Sequence, residues 1–387
     1  MTGLPPSENK RFYPALDGLR AVAVLMVFTQ HYMFHPLWIK WGWTGVDVFF
    51  VLSGFLITGI LYDTRDAAHR FRNFYVRRTL RIFPLYYGVL LIGLLLWPVF
   101  RWQLHPAWYL WPIYLGNYAR FIWMSDYLRN PTIMEHLMSP RTMNGFPIAM
   151  RLGHFWSLCI EEQFYLAWPP VVFLVKDRVR LRNICVAALA LCLLGRIACA
   201  FLMPEQMLGE LFLERFTPLR VDALLLGGFL ALTLRGEEGV RIARLAKPIL
   251  IGLTFLFVAG QIVVLVHTGQ LYQPGYKLMW LQTIGYSLID LFAAAVILRT
   301  IDPSSWTFHL LKNRWLRRLG QISYGFYVFH DIPHFFYSWF ALRILKVQVH
   351  SSLAVMAIAF AGTVLLAYLS FRFFESPFLR LKDRYTV

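Results

Sequence analysis

Apolar stretches of about twenty residues recur along almost the whole chain and alternate with short polar segments. A stretch of that length, wound as an α-helix, crosses the roughly 30 Å hydrocarbon core of a bilayer. The pattern therefore predicts an all-α fold, a polytopic membrane protein formed by one membrane domain over residues 1–387. The ten predicted transmembrane helices lie at about 14–34, 43–62, 83–101, 154–175, 184–203, 219–235, 248–267, 281–300, 320–342 and 351–372.

The basic residues predict the orientation of these helices. Most of the 38 lysines and arginines fall in alternate connecting segments, and the formal net charge is +17. Cytoplasmic loops of membrane proteins are enriched in Lys and Arg, so the bias predicts that both termini are cytoplasmic. The positive charge is thus interpreted as an orientation signal, and no nucleic-acid partner is expected.

The longest outer loop, residues 102–153, carries an aromatic and apolar stretch over 106–118 that Pro106 and Pro112 interrupt. A span here would invert the topology of everything that follows. We therefore interpret residues 102–121 as an interfacial or re-entrant segment. The polar remainder of the loop is a candidate lid or acceptor-docking surface.

Two ionisable residues share one face of the first predicted span. Arg20 and His31 are separated by about three helical turns, or roughly 16 Å along the axis. Ionisable side chains inside a membrane are costly and indicate a functional site by default. The alternative is that Arg20 extends to the inner interface and His31 reaches water at the outer end.

Carboxylates occur near the predicted depth of His31 in two other spans. Asp47 begins the second span, where it could orient an imidazole that acts as a general base, or simply cap the helix. Glu161 and Glu162 are adjacent in the fourth span, and neighbouring helical residues point about 100° apart. One glutamate would then face a site and the other a structural partner such as Arg196 or Arg220; a purely structural ion pair is the alternative.

Three arginines, Arg77, Arg78 and Arg81, fall in the predicted inner loop after the second span. Such a cluster can bind phosphates in a bidentate way, although inner loops are rich in arginine in any case and can bind anionic lipid. The four cysteines, at 159, 185, 192 and 199, lie in apolar segments and are expected to be free packing residues, with no metal site.

The chain resembles the acyltransferase 3 family of membrane acyltransferases over about residues 11–380. The resemblance rests on Arg20 with His31, on 45–47 with 53–55, on the three arginines, on 156–158 with 161–165, on Ser323, Tyr324 and His330, and on Glu375-Ser376-Pro377. It implies ten transmembrane helices in the bacterial inner membrane. Some members carry a soluble hydrolase-like domain after the last span, which is not expected in this chain.

The resemblance also implies a function, namely transfer of an acyl group from acyl-CoA, expected to be acetyl-CoA, to a hydroxyl of an envelope polysaccharide or its lipid-linked precursor. His31 would be the general base, oriented by Asp47 or Glu162. The partners would be the bilayer, the glycan acceptor and polysaccharide-assembly proteins. Two alternative functions are acylation of a secreted small molecule such as a macrolide, and proton-coupled transport or lipid flipping. The arginines at 77, 78 and 81 would bind the CoA phosphates, Arg20 the pantetheine arm, and Glu161, Trp156 and Tyr324 the substrate.

Overall fold

A computed structural model gives the fold of this chain. It describes residues 13–32, 41–100, 107–119, 121–122, 142–143, 146–147, 151–202, 212–268, 281–346, 353–382 and 384–385. The regular secondary structure of the described part is helical except for one antiparallel pair of two-residue strands, Thr142–Met143 and Phe146–Pro147. The prediction of an all-α membrane protein is therefore confirmed in its coarse form.

Fifteen α-helices are described. The first eight are α1 (Pro14–Tyr32), α2 (Gly45–Asp63), α3 (Arg70–Phe100), α4 (Trp156–Leu174), α5 (Arg178–Leu202), the short α6 (Phe212–Arg215), α7 (Thr217–Thr233) and α8 (Gly239–Thr268). The remaining helices are α9 (Tyr286–Ile301), α10 (Trp306–Leu311), α11 (Arg314–Gln321), α12 (Ser323–Phe329), α13 (His334–Trp339), α14 (Leu353–Leu369) and α15 (Ser376–Lys382).

Six helical segments of the described chain are long and apolar enough to cross a membrane. They are Gly42–Asp63, Arg70–Phe100, Arg178–Leu202, Gly239–His267, Thr283–Ile301 and Leu353–Lys382. The predicted total of ten stays a prediction. Helix α8 keeps Phe255 and Val266 each 75% exposed, and exposed apolar surface of this kind is typical of a face that contacts lipid.

Two predicted boundaries are wrong. The third span was expected to begin at residue 83, but α3 begins at Arg70 and so includes the whole arginine cluster. The ninth span, predicted over 320–342, is divided among α11, α12 and α13. Pro333 explains one of these breaks, because proline lacks an amide hydrogen and disfavours a helical residue before it.

The described residues 107–119 do not form a helix long enough to cross a membrane. They form two short 3₁₀ turns, Trp108–Leu110 and Gly116–Tyr118. The hydroxyl of Tyr86 on α3 donates to the carbonyl of Trp111 at 2.7 Å, and the Gln163 amide on α4 donates to the carbonyl of Tyr114 at 2.7 Å. The turns therefore cover α3 and α4, while most of the proposed lid, residues 123–141, lies outside the described residues.

Helices α2 and α7 form the closest-packed pair at the centre of the molecule. A Cβ atom on Gly54 would collide with the carbonyl oxygen of Leu224, and one on Gly227 would collide with that of Val51. Glycine at these two positions lets the backbones approach, as small residues do at membrane helix interfaces. The four cysteines are free, and three of them, Cys159, Cys185 and Cys192, are buried.

Candidate active site

A cavity of about 350 Å³ lies between α1, α2, α3, α4 and α12. This volume falls at the small end of the range of ligand-binding sites. Leucine, isoleucine, valine and phenylalanine side chains form much of the wall. Its polar lining residues are Tyr13, Asp17, Arg20, Ser53, Arg78, Arg81, Ser157, Glu161, Glu162, Tyr165, Ser323, Tyr324 and Tyr327.

The described cavity wall carries three guanidinium groups and three carboxyl groups. Helical spacing explains two of the groupings, because Arg78 and Arg81 lie one turn apart on α3, and Asp17 lies one turn before Arg20 on α1. The two glutamates of α4, Glu161 and Glu162, both reach the cavity. The wall can therefore bind an anionic ligand while its own carboxylates balance the arginines when the cavity holds only water.

Arg78 is held against the wall by an aromatic ring. Its guanidinium carbon lies 3.7 Å from the centroid of the Tyr165 ring, a cation–π contact. The hydroxyl of Tyr165 is in turn hydrogen-bonded to the Ser53 hydroxyl of α2. Tyr165 thus links α3 to α2 and fixes one arginine, a role that the sequence analysis did not assign to it.

Three buried polar atoms on the wall have no hydrogen-bond partner in the described part of the chain. They are Nε of Arg78, Oε1 of Glu162 and Oγ of Ser323. A buried polar group without a partner costs about 1–3 kcal/mol. A cation, a carboxyl oxygen and a hydroxyl would all gain a partner from a ligand that carries amide, hydroxyl and phosphate groups, so these residues fit the phosphopantetheine arm of an acyl-CoA.

Arg77 does not belong to this wall, contrary to the prediction that all three arginines bind one ligand. Its guanidinium donates to the backbone carbonyl of Tyr385 at 2.9 Å and lies 3.5 Å from that of Lys382. Because the cluster is helical, consecutive residues point in different directions. Arg77 therefore anchors the C-terminal segment, while Arg78 and Arg81 face the cavity.

Asp47 also differs from the prediction that it orients His31. Its carboxylate forms an ion pair with Arg220 of α7, and both side chains are almost completely buried. Arg196 pairs with Asp222 at 2.6 Å, so neither Arg196 nor Arg220 pairs with a glutamate of α4 in the described part. Helix α7 packs directly on α2 and supplies the partner of Asp47, so this carboxylate is used in an ion pair and has no hydrogen bond to His31 in the described part of the chain.

His31 lies outside the cavity wall, in a cluster with two other histidines. Its ring centroid is 4.8 Å from that of His330, which is 4.7 Å from that of His154. Nδ1 of His31 lies 2.9 Å from the carbonyl oxygen of Val27. A carbonyl only accepts, so Nδ1 carries the hydrogen and Nε2 keeps a lone pair, as a general base requires.

Tyr327 connects the cavity to the histidine cluster. It lines the cavity, its hydroxyl is 2.5 Å from the Ser157 hydroxyl, and its ring centroid is 5.4 Å from that of His330. Glu162 remains on the cavity side, so the structure does not support it as the group that orients His31. The backbone carbonyl of Val27 has that role instead.

The predicted substrate-binding residues are divided between two places. Glu161 and Tyr324 line the cavity, and the Tyr324 hydroxyl donates to the carbonyl of Ile82 at 2.9 Å. Trp156 does not line it, because its ring packs against Phe50 and beneath the guanidinium of Arg215 at 5.6 Å. The structure therefore gives Trp156 a packing contact and leaves its predicted contact with substrate without geometric support.

His330, Tyr327 and His154 had no catalytic role among the predictions made from the sequence. A signal was present, because Tyr324, Tyr327 and His330 follow one another at intervals of three, which places them on one face of a helix. His154 had no comparable signal, since only the tertiary fold brings the start of α4 beside α12.

A family model described as an acyltransferase domain matches residues 13–372. Because this match covers nearly the whole chain, the chain belongs to the acyltransferase 3 family.

Relatives in three bacteria are similar over almost all of this chain. YrhL of Bacillus subtilis is 32% identical over 398 residues, covering 96% of this chain and 55% of the relative. The peptidoglycan O-acetyltransferase OatA of Listeria monocytogenes is 30% identical, covering 95% and 56%. The O-acetyltransferase OatA of Staphylococcus aureus is 28% identical, covering 95% and 57%. This chain thus spans a little over half the length of these relatives. No solved structure matches.

Proposed function

We propose that this chain transfers an acyl group, expected to be acetyl, from an acyl-CoA to a hydroxyl of a cell-envelope glycan of the peptidoglycan type. One observation carries the proposal: an arginine-lined cavity ends at a tyrosine whose other side faces a cluster containing His31. Membership of the acyltransferase 3 family and the names of the OatA relatives support this choice of reaction and acceptor.

The donor would lie with its phosphates near Arg78 and Arg81 and its pantetheine arm along the cavity. Arginine suits phosphate because its planar group donates two parallel hydrogen bonds. Arg20 lines the same cavity, where its guanidinium would bind the pantetheine arm of the donor. The small volume and largely apolar lining favour an extended, narrow ligand over a bulky one.

The reaction itself needs one base. Nε2 of His31 would take the proton of the acceptor hydroxyl while the hydroxyl oxygen attacks the thioester carbonyl carbon. The new C–O bond forms, the C–S bond breaks, and the CoA thiolate leaves and takes up a proton. Because Tyr327 stands between the cavity and the histidines, the acyl end of the donor would have to reach past this ring.

The two substrates would come from opposite sides of the bacterial inner membrane. Acyl-CoA is a cytoplasmic metabolite, and the basic segments predict that the arginine end of the cavity faces the cytoplasm. The glycan would approach at the His31 end. Both termini would then be cytoplasmic, as ten transmembrane helices require.

The test replaces His31 by alanine and measures acylated glycan by mass spectrometry in cells with matched protein levels. His267 is the control, because its Nδ1 also lies 2.9 Å from the carbonyl oxygen four residues earlier, that of Val263, but its side chain is exposed on α8. We expect His31→Ala to abolish acylation and His267→Ala to leave it unchanged. Near-normal acylation by His31→Ala would contradict the general-base role.

A further inference from the structure

The histidine cluster has a property that packing does not explain: a backbone carbonyl holds one ring nitrogen of each member. Nδ1 of His330 lies 2.5 Å from the carbonyl oxygen of Tyr327, and Nε2 of His154 lies 3.2 Å from that of Val328. Carbonyl oxygens only accept, so these two nitrogens carry the hydrogens. The other ring nitrogen of each neutral histidine is therefore a bare acceptor.

The two bare nitrogens are buried without a hydrogen-bond partner in the described part of the chain. They are Nε2 of His330, whose side chain is fully buried, and Nδ1 of His154, which is 5% exposed. Nδ1 of His31 is likewise held by the carbonyl oxygen of Val27, although its side chain is only partly buried. The His330 ring contacts both other rings, and a proton on one of the three imidazoles would supply the hydrogen-bond donor that the bare nitrogens lack.

The cluster continues to a carboxylate and then to the surface. The bare Nδ1 of His154 lies 3.9 Å from Oδ2 of Asp331, so two hydrogen-bond acceptors lie close together there. Oδ1 of Asp331 lies 3.3 Å from the guanidinium of Arg151, whose side chain is 45% exposed. A proton that reaches His154 would gain a carboxylate partner, and Asp331 is one ion pair away from water.

We propose that His330, His154 and Asp331 form a relay that carries away the proton taken up by His31. This inference rests on the proposed function. The hydroxyl O–H bond breaks and an N–H bond forms at Nε2 of His31; the proton then moves to Nε2 of His330, to Nδ1 of His154, to Asp331 and to bulk water. The departing CoA thiolate is protonated by water on its own side of the cavity, so atoms and charge balance.

The other charged and titratable groups around the cluster are consistent with transfer in this direction. Like charges in contact repel, so the three imidazoles hold one added proton at a time. Asp331 is the anionic group that attracts it, and Arg151 lies beyond Asp331 at the exposed end. His334, Tyr32 and Tyr327 are the other titratable groups that the described structure places around the cluster. The hydroxyl of Tyr32 donates to the carbonyl of His330 at 2.6 Å.

The test uses purified protein in nanodiscs, with acetyl-CoA as donor and a peptidoglycan-derived oligosaccharide as acceptor, and follows release of the CoA thiol. His330→Gln retains a side-chain amide that can donate to Tyr327 but cannot accept and pass on a proton. Because general acid–base groups contribute about 10²–10⁴-fold, we expect kcat to fall at least about tenfold. The KM for acetyl-CoA should stay unchanged, and the solvent deuterium isotope effect on kcat should rise.

Asp331→Asn gives an independent readout at the far end of the relay, in case His330→Gln fails to fold. It should lower kcat at neutral pH and lose that deficit as the pH rises and hydroxide takes the proton directly. His267→Gln is the control and should change none of these values. Unchanged kcat, pH profile and isotope effect in folded His330→Gln and Asp331→Asn would overturn the relay.

Failure of the relay and failure of the proposed function are distinguishable. If His31→Ala is inactive while the relay variants behave as wild type, the acyltransferase proposal stands and the relay is wrong. If the wild-type protein releases no thiol, or His31→Ala releases it normally, the proposed function fails and the relay fails with it.

Discussion

The buried ion pair between Asp47 and Arg220 decides whether Asp47 is structural or catalytic, and it can be tested by a double-mutant cycle. The exposed fractions are 0% for Asp47 and 1% for Arg220. Removing one partner of such a pair leaves an uncompensated buried charge and costs about 3–5 kcal/mol, whereas removing both can be nearly neutral. The single variants should therefore shift the unfolding equilibrium by about 10²- to 10⁴-fold.

The contacts of each partner predict which single variant is worse. In Asp47→Asn, Arg220 keeps the Tyr286 ring, 4.0 Å from its guanidinium carbon, and the nearby carboxylates of Asp222 and Asp290. Its cost should lie near the lower limit. In Arg220→Met, Asp47 loses the one side-chain partner that the described structure gives it, so the cost should lie near the upper limit. The double variant removes one charge of each sign and should recover most of the loss.

The assay is reversible unfolding in mixed micelles, followed by helical circular dichroism, with acylation measured in parallel. Asp63→Asn is the control, because Asp63 and Arg235 also form a pair, at 2.5 Å, but Asp63 is 51% exposed. That change should cost less than about 1 kcal/mol. If Asp47→Asn is as stable as wild type but inactive, and the double variant stays inactive, the structural interpretation is refuted and Asp47 acts in the reaction.

Replacing Arg78 and Arg81 together by Gln should raise the apparent KM for acyl-CoA at least tenfold, because each charge-assisted contact to a phosphate contributes roughly 1.5–3 kcal/mol. Arg77→Gln is the control. Unchanged binding of a CoA analogue by the double variant would exclude a donor site at these arginines. Gly54→Ala should lower the free energy of unfolding by about 1–3 kcal/mol, because its Cβ atom would collide with the carbonyl oxygen of Leu224. Gly252→Ala is the control, because a Cβ atom there meets open space. Equal stability of the two variants would contradict the close approach of α2 and α7. The pKa of Glu238 is lowered from 4.5 to about 2 by its own backbone amide and by Arg182, so its contribution to stability is present above about pH 4.5 and disappears as the pH falls towards 2. Glu238→Gln should therefore lower the melting temperature at pH 7 and lower it less at pH 4. A difference in melting temperature that is the same at both pH values would argue against the contact. In a cysteine-free background with intact cells, an impermeant thiol reagent should not label Ser304→Cys but should label Asn130→Cys; the reverse would overturn the proposed topology.

The sequence by itself determined the features that depend on local pattern. Apolar stretches of the right length and the helical spacing of Arg20 and His31 require only that each segment be helical, and the long helices α1, α2, α4, α5 and α7 lie where the pattern predicted them. The glycine at position 54 could likewise be interpreted from sequence, because close approach of two helices requires a small residue wherever the partner is. Family membership also followed from motifs at fixed spacing.

Only the tertiary structure decided which charges meet. Asp47, Arg196, Arg220 and Asp222 allow several pairings in sequence, and the packing of α7 on α2 and α5 selects two of them. The separation of Arg77 from Arg78, and the contact of His31 with His330 about 300 residues later, depend on how helices rotate and pack against one another. The physical reason is that hydrophobic periodicity fixes which residues of a helix are apolar, while ion pairs and hydrogen bonds act over a few ångströms and are formed only when distant segments pack together.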